Sequence, residues 1–165
     1  MYIDEGNLNK IIEDIDSSSK PFIIFKNEIL DFFDAISKII LSKKRFKTFP
    51  DLVAFGFWCR KKNLINIKKG YQQEQTGRGL VFHICPSNIP LNFAFSLAFG
   101  LLSGNCNIVR LPSVEFEQVK LLCDVINKIT NKKRFKPLKK KILLISYNRS
   151  DKVSKILSIK SILKK

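Results

Sequence analysis

Gly79-Leu-Val-Phe-His-Ile-Cys-Pro-Ser-Asn-Ile-Pro-Leu-Asn-Phe93 and, shortly after it, Leu101-Leu-Ser-Gly-Asn-Cys-Asn-Ile-Val-Arg-Leu-Pro-Ser113 decide how this chain folds. The first run reads as a strand over 80–84, a stop at the turn Pro86-Ser-Asn-Ile-Pro90, and an apolar helix over about 91–102. In the second, Gly104 fits the C′ position that closes this helix, and a strand over 107–111 follows. Pro112-Ser113 then opens a helix over about 114–130, with Ser113 as its cap and Glu115 and Glu117 in its first turn. A strand over 141–147 and a helix over about 151–159 complete a βαβαβα succession, which predicts an α/β fold with a parallel sheet and right-handed crossovers. Open sheets of this kind build their sites at the carboxyl ends of the strands, where Asn88 and Arg110 fall.

Upstream, residues 27–42 place Ile29, Leu30, Phe32, Phe33, Ile36, Ile39 and Ile40 on one helical stripe, with Asn27 as the expected cap. A second helix is expected from Pro50, turning Leu52, Val53, Phe55, Trp58 and Cys59 inward and carrying Arg60, Lys61 and Lys62 at a basic end. Residues 70–78 break both periodicities and read as a linker or an exposed hairpin. The expected organisation is a helical region over 1–70 and a partial α/β domain over 71–165. The helix at 91–102 is apolar nearly all round and needs cover on more than one face, more than one small domain is expected to supply.

Fourteen Phe and 45% apolar residues in 165 are enough for a packed core. The acidic start Met1-Tyr-Ile-Asp-Glu-Gly-Asn-Leu8 lacks the basic and apolar regions of a secretory signal, and Ile89–Leu102 is too short and too interrupted to span a bilayer. A cytoplasmic protein without a membrane span is the expectation. Cys59, Cys85, Cys106 and Cys123 contain no Cys-x-x-Cys pair and read as buried thiols. His83 and Cys85 can share one side of a strand, but a single His leaves a metal site short of ligands, so no metal is expected.

The formal charge of +16 is uneven: residues 131–165 hold thirteen Lys or Arg against Asp151, whereas residues 1–20 hold two against five acids. No helix-turn-helix, zinc-finger or RNP pattern accompanies the basic stretch, and aromatics are not interleaved with it, so a solvated basic face is expected rather than specific nucleic-acid binding.

Two residues carry candidate chemistry. The Asn88 carboxamide, in a turn stiffened by Pro86 and Pro90, has the donors an oxyanion needs; the plain alternative is a helix N-cap or Asx-turn. Arg110, beside Pro112-Ser113, has the charge for a ribose or phosphate; the plain alternative is a surface arginine. No Gly-x-Gly-x-x-Gly or Walker loop is present.

Three segments, Phe49–Leu64, Arg78–Ser113 and Lys141–Tyr147, resemble consecutive blocks of the LuxC-type acyl-CoA reductases, a branch of the aldehyde dehydrogenase superfamily. The resemblance runs from about residue 25 to about residue 155 and implies the N-terminal part of a Rossmann-like cofactor domain for NADPH-dependent reduction of acyl-CoA to aldehyde. It gives Asn88 the oxyanion role, and gives Arg110, Pro112 and Ser113 the NADP(H) ribose and phosphate, although Leu111 intervenes before Pro112. None of the four cysteines matches the family's nucleophile, which lies further C-terminal; Cys85, three residues before Asn88, reads instead as a small core residue. The implied partners are acyl-CoA, an acyl-protein synthetase and the missing C-terminal half. The expectation is therefore a truncated reductase, inactive alone. The competing expectation is a non-catalytic interaction module with a basic polyanion-binding face.

Overall fold

The computed structural model describes residues 20–71, 75–147 and 151–162. Helix α1 (Asn27–Ser42) forms on the expected stripe and buries Ile29, Leu30, Phe32, Phe33, Ile36 and Ile40. Each such side chain contributes about 1.5–3 kcal/mol by leaving water, so the buried face and not the ends holds this helix. Asn27 does not cap it: Lys26 occupies the cap position, and its carbonyl accepts the N–H groups of Ile29 and Leu30.

After the single turn α2 (Lys44–Lys47), α3 (Pro50–Trp58) starts at Pro50 as the sequence indicates. The basic run then departs from expectation, because Lys61 begins a separate helix, α4 (Lys61–Lys68). The cause lies on α1. Asp34 accepts the Lys61 backbone N–H at 3.2 Å and Asp31 pairs with the Lys61 ammonium, placing two carboxylates where a new helix presents unpaired donors.

Strands β1 (Leu80–Ile84), β2 (Cys106–Arg110) and β3 (Ile142–Ile145) form a parallel sheet in the order β1-β2-β3. The register pairs Ile84 with Arg110, and Arg110 with Ile145, so the strands end level. Helix α5 (Asn92–Leu102) joins β1 to β2; α6 (Glu117–Thr130), a 3-10 turn (Lys133–Phe135) and α7 (Lys136–Lys139) join β2 to β3; α8 (Asp151–Ile162) follows β3.

Strand alternation sorts the side chains between two cores. Val109 joins α1, α3, α5 and α6 in the larger one, while Leu80, Cys106, Ile108 and Ile145 pack with Val153 and Leu157 of α8 in the smaller. The helical part and one face of the sheet thus share the larger core. It supplies the cover that α5 needs: Phe93, Leu97 and Leu101 are buried, and the Phe95 ring lies 5.0 Å from Phe55 and 5.6 Å from Trp58. The exception is Phe99, 56% exposed beside Trp58.

At the amino end of the sheet, Gly104 has φ 77 and donates to the Leu101 carbonyl, closing α5 as the sequence indicates. Residues 22–24 are stitched to this end. Phe22 donates to Gly104 and accepts from Gly77, Ile24 donates to Gln75, and Ile23 bridges Thr76 in antiparallel fashion. Part of the expected linker is thereby held in place, while its residues 72–74 lie outside the described residues. No helix among the described residues is long and apolar enough to cross a membrane.

Candidate functional site at the carboxyl end of the sheet

Pro86 and Pro90 bracket a turn that carries Asn88 out of β1 to an exposed position. Leu91 takes the position before α5 without any side-chain cap, so Asn88 is not a helix N-cap. Its carboxamide makes no hydrogen bond among the described residues, and Ile84 (54% exposed) and Ile89 (50%) flank it. The donor is presented outward on an apolar rim.

One strand over, Arg110 ends β2 with its guanidinium carbon 4.5 Å above the Tyr147 ring, a cation–π contact that directs it towards the α8 side. Pro112 and the exposed Ser113 continue the loop. The expected helix start fails here. Helix α6 begins at Glu117, behind an extended Phe116 that packs against the core, and Ser113 caps nothing. The α6 terminus also carries Glu117, which pairs with Arg45 at 2.9 Å and disfavours an anion there. What remains for a nucleotide phosphate or ribose at this end is the Arg110 cation and the Ser113 hydroxyl. The Asn88 turn and the Arg110–Ser113 loop thus stand at the same end of adjacent strands.

Between these loops and the core lies a polar chain that sequence reasoning did not assemble. Asn107, 2% exposed, donates its amide N–H to the Asn105 carbonyl at 2.8 Å, which turns its oxygen towards His83 Nε2 at 2.9 Å. His83 must therefore carry its proton on Nε2, leaving Nδ1 to accept from the Ser96 hydroxyl at 2.7 Å. The arrangement depends on Gly100, where a Cβ would sit 1.9 Å from Asn107 Oδ1. The sequence signals were Ser96 inside an otherwise apolar helix and Asn107 inside an apolar strand, but which residues they face is a tertiary fact.

Burial lowers the affinity of His83 for a proton, with the Asn107 hydrogen bond acting in the opposite sense, and the imidazole is neutral near pH 7. Burial likewise raises the Cys85 thiol, against which the Ser96 hydrogen bond works. Cys59 is raised well above its ordinary value and Cys123 to about 12, both by burial, so neither supplies a thiolate. None of the four cysteines forms a disulfide among the described residues. No cluster of three or more metal-ligating side chains occurs among the described residues. A cavity of about 210 Å³, lined by Phe25, Tyr71, Thr76, Arg78, Ser103 and Asn105 among others, opens at the opposite end of the sheet.

The family model for acyl-CoA reductase (LuxC) matches residues 60–159, which contain the whole sheet and both loops at its carboxyl end. The chain belongs to the LuxC acyl-CoA reductase family. Neither the curated proteins nor the solved structures give a match.

Proposed function

We propose that the described residues of this LuxC-family chain form the oxyanion-binding side of a fatty acyl-CoA reductase that makes fatty aldehyde with NADPH. The observation that carries this reading is Asn88: a donor with no hydrogen-bond partner among the described residues, held on a proline-bracketed turn, beside exposed isoleucines suited to an acyl chain. When a thiol attacks a thioester carbonyl, negative charge develops on the oxygen. A preorganised amide stabilises that charge, and removing one such donor costs about a hundredfold or more in rate.

Arg110 and Ser113 fit the charged ribose-phosphate part of NADP(H), whose role when bound is to supply hydride. The test is to follow acyl-CoA-dependent NADPH oxidation by the chain, alone and together with the polypeptide encoded next to it. A turnover lost in Asn88→Ala supports the reading; no association and no oxidation contradicts it.

A second reading rests on the exposed Lys132, Lys133, Lys136, Lys139 and Lys140 around the 3-10 turn and α7, a corner suited to nonspecific polyanion binding. Retention on heparin that does not weaken between low and moderate salt argues against it.

A further inference from the structure

Three arginines among the described residues lie over aromatic rings, and the Arg110 ring differs from the other two. Arg60 sits 4.1 Å above Phe57 and Arg134 sits 5.4 Å from Phe135, each over a ring only one or three residues away in sequence. Phe57 is itself exposed, and Arg134 also pairs with Asp31. Tyr147 instead reaches Arg110 from the far side of a strand pairing. It stands two residues past β3, is 5% exposed, and its hydroxyl shares a hydrogen bond of 2.8 Å with Ser154 in the first turn of α8. Ile145, Val153 and Leu157 pack in the same cluster. The sheet, the smaller core and a helix together fix this ring.

The Ser154 bond satisfies the tyrosine hydroxyl by itself, so Arg110 is not needed to complete the core. Arg110 is half-buried at the tip of the central strand, and its guanidinium makes no hydrogen bond or ion pair among the described residues. Its charge is held by the ring while its N–H donors remain available for a phosphate. From this geometry we infer that Tyr147 is a positioning residue, which orders the Arg110 guanidinium for the 2′-phosphate of NADPH and so sets a preference for NADPH over NADH. The inference rests on the reading above that Arg110 meets the ribose phosphate of the cofactor; the platform rests on the ring contact and the Ser154 bond.

A swinging arginine has to be ordered when the phosphate arrives, and that ordering lowers affinity about fivefold. An arginine already laid on a fixed ring is ordered beforehand. NADH has no 2′-phosphate, so the effect falls on NADPH alone.

The full chain, carrying isotope-labelled arginine, is titrated with NADPH and separately with NADH while the Arg110 side-chain signals, assigned through Arg110→Ala, are followed by NMR. In the wild type the Tyr147 ring is expected to displace these signals upfield, and NADPH to move them. Tyr147→Leu and Tyr147→Met are expected to remove the displacement and weaken NADPH binding about fivefold, with NADH changed by less than about twofold. Tyr147→Phe keeps the ring and is expected to keep both the displacement and the NADPH affinity. Folding is checked by thermal melting, and either folded ringless variant decides. The wild-type displacement is read in any case, and its absence overturns the inference. So does unchanged NADPH affinity in a folded ringless variant, an equal loss for NADPH and NADH, or a Tyr147→Phe protein as weak as the ringless ones. NADPH binding that is absent in the wild type, or indifferent to Arg110→Ala, removes the cofactor reading of Arg110 and the inference with it. Binding that needs Arg110 but not the ring keeps that reading and removes only the positioning role, so the two failures are separable.

Discussion

The two ends of β1 are built on opposite principles. At the amino end, backbone is locked to backbone: Phe22, Gly77 and Gly104 exchange hydrogen bonds at 3.0 Å, and Asn105 Oδ1 takes the N–H groups of Arg78 and Gly79 at 2.6 and 3.2 Å. At the carboxyl end, Asn88 spends its amide on no neighbour among the described residues, and Ile84 and Ile89 lie half exposed. One end satisfies its polar groups internally and so stabilises the fold; the other leaves a donor and an apolar rim available, which costs little stability and suits a ligand. Substitutions should divide the ends accordingly.

The largest loss is expected for Gly104→Ala. The residue has φ 77, and its Cβ would meet the Phe22 carbonyl oxygen at 2.0 Å. Left-handed strain of about 1–2 kcal/mol adds to overpacking of about 1–3 kcal/mol against a backbone atom that cannot swing away, for a total of about 3–4 kcal/mol in chemical denaturation. Loss of less than about 1 kcal/mol would mean that this end is not locked. Asn105→Ala is expected to cost about 2–3 kcal/mol, because it strands the Arg78 and Gly79 donors where water reaches poorly.

Much of this contrast was legible in the residues. The strand over 80–84, α1 over 27–42 and the closing Gly104 came directly from apolar periodicity and turn chemistry, because these signals are local. Asn27 and Ser113 failed as caps for a tertiary reason: core contacts of neighbouring residues, such as Phe116, decide where the helix starts. The same limit hid α4, whose start is set by Asp31 and Asp34 on another helix. In the site, Asn88 and Arg110 were readable as strand-end residues. Nothing local indicated that Arg110 stacks on Tyr147 or that His83 joins Ser96 to Asn107.

His83 lies between the two ends and gives a smaller effect. Burial depresses its proton affinity in the folded state, so the unfolded chain binds the proton more readily. The stability that the neutral imidazole contributes is complete above the ordinary histidine value of about 6.5 and is lost as pH falls through it. A drop of a few degrees in Tm between pH 7.5 and pH 5 is expected, and a shallower drop in His83→Gln; an unchanged slope in that variant would show that the imidazole does not titrate with unfolding. The smallest effect belongs to Asn88→Ala, expected to change stability by no more than about 0.5 kcal/mol, as for an exposed surface position. A larger loss would make Asn88 a structural residue and erase the contrast between the ends.

The most direct measurement is acyl-CoA-dependent NADPH oxidation by this chain, alone and together with the polypeptide encoded next to it, wild type against Asn88→Ala, at matched folding. The account predicts a fall of about a hundredfold or more in kcat while Tm stays unchanged. Equal turnover in the two proteins would contradict it, and would show that the exposed amide at the end of β1 takes no part in the chemistry.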